Sequence, residues 1–312
     1  MRENSFRTRV ASGAFTLPFM AGLSVLLWLL PGFGGWQQWA GLAAVGLTTY
    51  LLAELNNQYA LLRIRSRMVG SSFLALVLAC PGLRLLSPEH GAMVALVVAY
   101  FQFFAAYQQH RPEGHLFYAF LCWSLASFCW PPLLLAVPLL LLCLLLQLRA
   151  LTGRSWLAAM MGVALPYWCL AAWGIWQERL RETFLPFAEA FRLAAPDYAA
   201  IPPAPLAVMG FTAVLSFLAM LHFSQTFYKD KIRTRLFYYF IISIELLLLL
   251  ACALQPQHYT VLLPLLIANS APVIAHYFAL ARGRAADYFF IVCLVLLTGL
   301  TLFNHLDLWT LL

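Results

Sequence analysis

The chain has 312 residues, of which 63% are hydrophobic and 10% are charged, and it carries a formal net charge of +7. This composition excludes a soluble globular protein, and apolar segments of roughly 17–25 residues recur, the length that membrane-spanning helices require. The segments are apolar all round rather than alternating, which excludes a membrane β-barrel. We predict an all-α, polytopic transmembrane helix bundle, with residues 1–312 forming a single integral membrane domain.

About eleven predicted spans follow one another, with one long loop between the seventh and the eighth. The apolar run after MRENSFRTR has no clear small-residue cleavage site behind it, so we predict an uncleaved first span rather than a signal peptide. The spans cover residues 11–31, 36–56, 68–86, 91–107, 115–130, 133–149, 155–176, 204–224, 236–254, 259–280 and 287–304.

The basic residues indicate how the spans are oriented. With the N-terminus inside, the cytoplasmic segments hold 15 of the 19 Lys and Arg residues, and only four lie outside. Cytoplasmic loops of membrane proteins are enriched in Lys and Arg, so we predict an N-in, C-out topology. The positive charge lies in short loops, where it sets the orientation of the spans in the membrane. It therefore does not indicate a nucleic-acid partner.

Polar residues at the inner ends of spans are candidates for an inner vestibule. Glu54 and Asn57 share a helical face at the end of the second span, where they either line a vestibule or are solvated at the headgroups. His222 and His276 also lie near inner ends, where each either exchanges protons or hydrogen bonds a neighbouring helix.

The fifth and sixth spans are joined by Trp130-Pro131-Pro132 without a polar loop. Residues 115–149 are therefore either two full spans with a tight turn or a re-entrant pair. Short segments interrupted by proline often mark binding sites in transporters, because a broken helix exposes backbone groups where it lines a cavity.

The long outer loop, residues 177–203, has two parts. In ERLRETFLPFAEAFRLA, leucine and phenylalanine recur at helical spacing with charges opposite, which predicts an amphipathic helix lying in the membrane interface. A Pro-rich link, APDYAAIPPAP, follows it. Arg179, Arg181 and Arg192 either form an outer anion site that grips phosphate or belong to a solvated face paired with the glutamates of the loop.

The chemistry in the sequence is concentrated in its last helices. Glu245 is the one acid inside an otherwise apolar span, and Asn269 and Ser270 occupy the centre of the next span, between Pro264 and Pro272. Each span needs the same number of residues to reach mid-bilayer, so Glu245 and Asn269 should lie at similar depth. Intramembrane acids usually face the bundle interior with a partner, and the prolines should weaken the helix and free carbonyls.

Several enzyme classes lack support. No HExxH, GxSxG, DDxxD-like or P-loop pattern is present, and the first outer loop holds no acid of the kind that polyprenyl-phosphate-sugar glycosyltransferases usually carry. The cysteines lie in apolar segments without metal-ligand or disulfide spacing, so we predict neither a metal site nor a cofactor. They are Cys80, Cys122, Cys129, Cys143, Cys169, Cys252 and Cys293.

Several segments together resemble an uncharacterised multi-pass inner-membrane protein family of Bacteroidota, a domain of unknown function. They are AELNNQYALLRIRSR with Pro81 after it, LFYAFLCWSLASFCWPP, the basic connector YKDKIRTR, and LLPLLIANS. The resemblance covers most of the chain and implies a bacterial inner-membrane location, but no established activity.

Three functions remain open from the sequence. The first is the handling of a lipid-linked or amphipathic substrate of the cell envelope, by analogy with the layout of polysaccharide polymerases. The second is proton-coupled transport of a small solute through Glu245. The third is a non-catalytic scaffold or assembly subunit in which Glu245 fixes helix packing. The expected partners are membrane lipid and either a lipid-linked substrate or other envelope membrane proteins.

Overall fold

The computed structural model of the protein describes residues 6–30, 32, 35–191, 195–199, 201–306 and 308–311. Every regular element in this part of the chain is helical. The α-helices are α1 (Phe6–Ser12), α2 (Thr16–Leu29), α3 (Trp36–Tyr59), α4 (Met68–Leu78), α5 (Pro88–Ala105), α6 (Glu113–Ala126), α7 (Val137–Cys143), α8 (Gly153–Trp176), α9 (Leu180–Ala190), α10 (Pro203–Thr226), α11 (Ile232–Leu254), α12 (Tyr259–Leu280) and α13 (Arg284–His305).

Six helical segments of the described chain are long and apolar enough to cross a membrane, and the number rises to seven if the bent pair α1–α2 is one span. The axes of that pair differ by 87°. The six are 131–148, α8, a segment that extends α10 to Lys229, α11, a segment that begins α12 at Pro256, and α13. The protein is therefore a helical membrane protein. Its described span-length segments are fewer than the eleven spans predicted, although each predicted span overlaps a helical segment.

Helix α12 lies at the centre of the bundle. Of its 22 residues, 19 are buried, and it packs against α4, α5, α10 and α11. Its sequence fits this position, because it carries the polar residues Asn269, Ser270 and His276, and polar groups of membrane helices face the bundle interior. In contrast, α8 and α13 bury few of their residues and expose large apolar side chains such as Leu157, Trp168 and Val295, as expected for helices that face lipid.

Helix α4 is shorter than the predicted span 68–86, because the helix ends at Leu78. A helix that stops inside a bundle leaves carbonyl groups without hydrogen-bond partners. Helix α13 supplies the donors for these carbonyl groups. The ring nitrogen Nε2 of His305 donates to the carbonyl of Leu78 at 2.7 Å, and Asn304 Nδ2 donates to that of Ala79 at 2.7 Å. The guanidinium of Arg84 in turn bonds His305 Nδ1.

The segment that joins the fifth and sixth predicted spans forms a compact hairpin. Helix α6 has only 14 residues, whereas residues 131–148 form one span-length segment with 3-10, α and π geometry in succession. The indole Nε1 of Trp123 donates to the carbonyl of Leu133 at 3.0 Å and fixes the turn. The irregular start fits the two prolines, because each disfavours the α conformation in the residue before it, and Trp130 is extended.

Helices α6 and α8 approach closely at Gly162. A Cβ atom at this position would lie 2.4 Å from the carbonyl oxygen of Phe117. Gly162→Leu should therefore force the helices apart and lower the free energy of unfolding by about 1–3 kcal/mol. Thermal unfolding in detergent micelles would measure the loss, with Gly210→Leu as control because a Cβ at Gly210 meets nothing within 4 Å. Equal melting temperatures for the two variants would contradict the close approach.

Candidate functional site

The centre of the bundle contains a buried carboxyl–amide pair. The amide nitrogen Nδ2 of Asn269 donates to Glu245 Oε2 at 2.5 Å and lies 3.3 Å from the carbonyl of Ile241. Both side chains are completely buried. Because α11 and α12 are connected only by the short 3-10 turn Pro256–His258, their midpoints lie at the same depth, and the two residues meet as the sequence predicts.

Two further helices contribute to this pair. Tyr100 on α5 donates its hydroxyl hydrogen to Asn269 Oδ1, so the Asn269 side chain bonds on both its oxygen and its nitrogen. The hydroxyls of Ser270 and of Ser216 on α10 lie beside the Glu245 carboxyl, although each also donates to a carbonyl of its own helix. We call Tyr100, Ser216, Glu245, Asn269 and Ser270 the central polar cluster, and all five are buried.

One oxygen of the central polar cluster has no hydrogen-bond partner. Among the described residues nothing bonds Glu245 Oε1, and no basic side chain forms an ion pair with this carboxyl group. A buried carboxyl group with spare hydrogen-bonding capacity is costly and is more often associated with function than with stability.

Helix α12 stays continuous through Pro264 and Pro272. The prolines do not break the helix at Asn269, and the helix carbonyls remain inside a packed bundle. The phenol of Tyr238 on α11 donates to the carbonyl of Pro272 at 3.3 Å. This contact places a second polar group of α11 against α12. Tyr238 lies seven residues, or two helical turns, before Glu245 on the same face of α11.

A second buried polar cluster lies toward the start of α11. Asp230 precedes this helix and is 4% exposed. His276 Nε2 lies 3.0 Å from Asp230 Oδ2, and Arg63 Nη1 lies 3.7 Å from Asp230 Oδ1. We call Arg63, Asp230 and His276 the end cluster. Tyr238 lies next to it, with its ring centroid 4.8 Å from that of His276.

The four candidates for an inner vestibule separate into two pairs. The ring of His222 lies 6.3 Å from the ring of His276, and neither Nδ1 atom has a hydrogen-bond partner among the described residues. Asn57 instead donates to Glu54 at 3.4 Å on the exposed end of α3. Of these two pairs, only His222 and His276 therefore lie close to buried polar side chains.

Segment 177–203 contains the predicted amphipathic helix, α9, whose Phe187 packs on Phe128 and Tyr167. Arg179 pairs with Glu182 at 3.7 Å, and both are more than 70% exposed. Arg181 is exposed as well, and Arg192 lies outside the described residues. Arg179 and Arg181 therefore belong to a solvated face, the second of the two alternatives predicted, and Arg179 is paired with a glutamate.

Several residues in or beside these clusters were missed at the sequence level, and Ser216 and Arg63 are among them. Tyr100 and Tyr238 lie in apolar runs in which tyrosine is ordinary, and nothing in the sequence distinguishes them. Asp230 offered a usable signal, because it is the only acid inside the basic connector YKDKIRTR. An acid between cations is normally a solvated residue, but here it is buried.

Among the described residues no three His, Cys, Asp or Glu side chains are arranged to hold a metal ion. The chemistry of the clusters is that of proton and hydrogen-bond exchange, since their members are carboxyl, imidazole, phenol, amide and hydroxyl groups. No protein-family model, curated protein or solved structure matches this chain. The structure establishes a helical membrane bundle built around a buried acid.

Proposed function

We propose that the protein is a proton-coupled transporter of small solutes in a bacterial inner membrane, with Glu245 as its proton-binding group. The observation that carries this proposal is the complete burial of Glu245 in the central polar cluster without a basic counter-charge. Acids in this position of membrane proteins form proton relays in pumps and transporters.

The hydrogen bonds around Glu245 give protonation a structural consequence. The ionised carboxylate only accepts hydrogen bonds, and the amide of Asn269 donates to it. The protonated carboxyl becomes a donor, and Asn269 meets it best by turning its amide oxygen toward Glu245. That rotation withdraws the oxygen to which Tyr100 donates. Loading one proton therefore weakens the contact between α5 and α12, the kind of change that alternating access requires.

The end cluster supplies a route for protons toward Glu245. His276 lies seven residues after Asn269 on α12, and Tyr238 lies seven residues before Glu245 on α11, so both pairs share the interface between these helices. Protons would pass between the imidazole of His276 and the carboxyl of Glu245 along this interface. Asp230 orients the imidazole through Nε2.

The orientation of this route follows from the placement of the basic residues. We propose eleven crossings with the N-terminus inside, as the excess of Lys and Arg on one side supports. The end cluster then lies at the cytoplasmic end of the bundle. The bacterial inner membrane is the location that the sequence resemblance implies.

Proton flux in proteoliposomes tests this function. Vesicles that contain wild-type protein and a pH-sensitive dye should become acidic when a gradient of acetate, benzoate, phosphate, an amino acid or a sugar is applied. Their acidification should be faster than that of protein-free vesicles. Glu245→Gln should reduce this flux at least about tenfold, because the amide cannot carry the proton. Glu54→Gln, which removes a partly exposed acid, should leave it unchanged. Wild-type flux through folded Glu245→Gln protein would contradict the proposal.

A second candidate is the handling of a lipid-linked or amphipathic envelope substrate. It is favoured by an apolar cavity of about 100 Å³ between α2, α4, α10, α12 and α13. Some of these helices also expose apolar side chains on the surface of the bundle. Its apolar lining suits a short stretch of an acyl or isoprenoid chain, although the volume is smaller than that of most small-molecule sites. Cys293→Trp would fill it, and mass spectrometry of the purified protein should then show loss of a co-purified polyprenyl phosphate. If neither this lipid nor proton flux is detected, a scaffold role remains.

A further inference from the structure

A polar pocket opens at the end of the bundle where α3 and α5 end and where α6 and α11 begin. Its volume is about 600 Å³, within the range of small-molecule sites. It is lined by Gln58, Tyr59, Phe104, Ala105, Tyr107, Gln108, Gln109, His115 and Arg233. This lining contains one cation and no carboxylate, so the pocket favours an anion.

The cation of the pocket is held in place by aromatic rings rather than by an acid. The guanidinium of Arg233 lies 5.4 Å from the ring centroid of Tyr59 and 5.2 Å from that of Phe237. The Tyr59 hydroxyl donates to the carbonyl of Phe101 at 2.8 Å, which fixes the ring. An arginine stacked in this way keeps its N–H fork free for a planar anion.

Two other arginines of the same region are already engaged. Arg63 pairs with Asp230, and Arg235 Nε donates to the carbonyl of Asp230 at 2.9 Å. Within the part of the chain that the structure describes, no acid or carbonyl oxygen bonds Arg233. Arg233 is solvent-exposed, and its guanidinium, which lines the pocket without an anionic partner, is free to bind a carboxylate or phosphate.

The remaining lining fits an organic rather than an inorganic anion. Three glutamine amides and His115 supply further hydrogen-bonding groups, with His115 Nδ1 engaged by Gln102 at 2.9 Å. Phe104 also lines the pocket and stacks on Phe237 with centroids 4.2 Å apart. A ligand with one charged end and an apolar body would place its charge on Arg233 and its body against Phe104.

Phe104 also connects the pocket to the central polar cluster. Its ring stacks on Tyr100 with centroids 5.8 Å apart, and Tyr100 bonds Asn269. Building on the transport function above, we propose that this pocket binds the transported solute and that the solute is a small carboxylate with an apolar body. The anion and one proton on Glu245 would cross together, so the cycle carries no net charge.

Ligand binding to the purified full-length protein tests the assignment. Isothermal titration with benzoate should show saturable binding to the wild type. Arg233→Gln should weaken it at least about tenfold, the loss expected when a charge-assisted hydrogen bond is removed, and Arg233→Lys should weaken it less. Lys231→Gln, which removes an exposed charge from the same connector, should bind as the wild type does. Benzylamine, of similar shape and opposite charge, should not bind.

Three outcomes would overturn the assignment. They are unchanged benzoate affinity in folded Arg233→Gln protein, equal binding of benzylamine, and no binding of benzoate or acetate to the wild type at millimolar concentration. The two proposals fail separately. Benzoate binding that depends on Arg233 without proton flux keeps the pocket and rejects transport. Flux that depends on Glu245 but not on Arg233 keeps transport and rejects the pocket.

Discussion

Asn269→Leu is expected to lower the free energy of unfolding by about 2–6 kcal/mol, because two buried groups lose their partner at once and each loss costs roughly 1–3 kcal/mol. The groups are the carboxyl of Glu245 and the hydroxyl of Tyr100, which bond the two ends of the same amide. Leucine matches asparagine approximately in size but offers neither a donor nor an acceptor. The loss can be measured by titrating the protein in mixed micelles with SDS and following its helix content.

Two further variants test the cause of that loss. Tyr100→Phe removes one hydroxyl and should cost about 1 kcal/mol. The double variant Glu245→Leu/Asn269→Leu should be more stable than Asn269→Leu alone, because it removes the stranded carboxyl as well. If Asn269→Leu costs less than about 1 kcal/mol, the usual range for a single interhelical hydrogen bond in a membrane, the central polar cluster is not a cooperative unit.

Asp230→Ala should also lower the free energy of unfolding, at the other buried cluster. Removing one partner of a buried hydrogen bond leaves the other partner unsatisfied, which costs roughly 1–3 kcal/mol. Here that partner is His276, 3.0 Å from Asp230 and itself completely buried. The connection between α12 and the turn before α11 would also be lost. The same SDS titration measures the change.

Arg63→Gln is the matched control for this second prediction. Arg63 is 30% exposed and lies 3.7 Å from Asp230, so its loss should cost no more than about 1 kcal/mol. A similar cost for Asp230→Ala and Arg63→Gln would show that the end cluster acts as a surface pair. Restored stability in Asp230→Leu/His276→Leu would instead identify the stranded imidazole as the source of the loss.

The pairing of Glu245 with Asn269 could be predicted because it depends on local geometry alone. Two long apolar helices joined by a short turn must run antiparallel, so residues equally far from the turn lie side by side. The amphipathic outer helix could be predicted for a similar reason, since its pattern is complete within α9. Both predictions required no knowledge of how distant segments pack.

Contacts between distant segments were not predictable in this way. Tyr100 reaches Asn269 across 169 positions of sequence, and its helix looks like any other apolar span. The early end of α4 at Leu78 depends on capping by His305 and Asn304, more than 220 positions away. Asp230 is buried only because α12 brings His276 to it. In each case the decisive partner belongs to another helix, and a single-helix pattern carries no trace of it.

The central position of α12 has a consequence for biogenesis. This helix is synthesised after α4 and α5, yet it packs against both. Until α12 emerges, the earlier helices face lipid or one another with surfaces that belong to a later segment, including the hydroxyl of Tyr100. The earlier helices therefore cannot reach their final packing until α12 inserts between them. Insertion factors that shelter polar intramembrane groups would act during this interval.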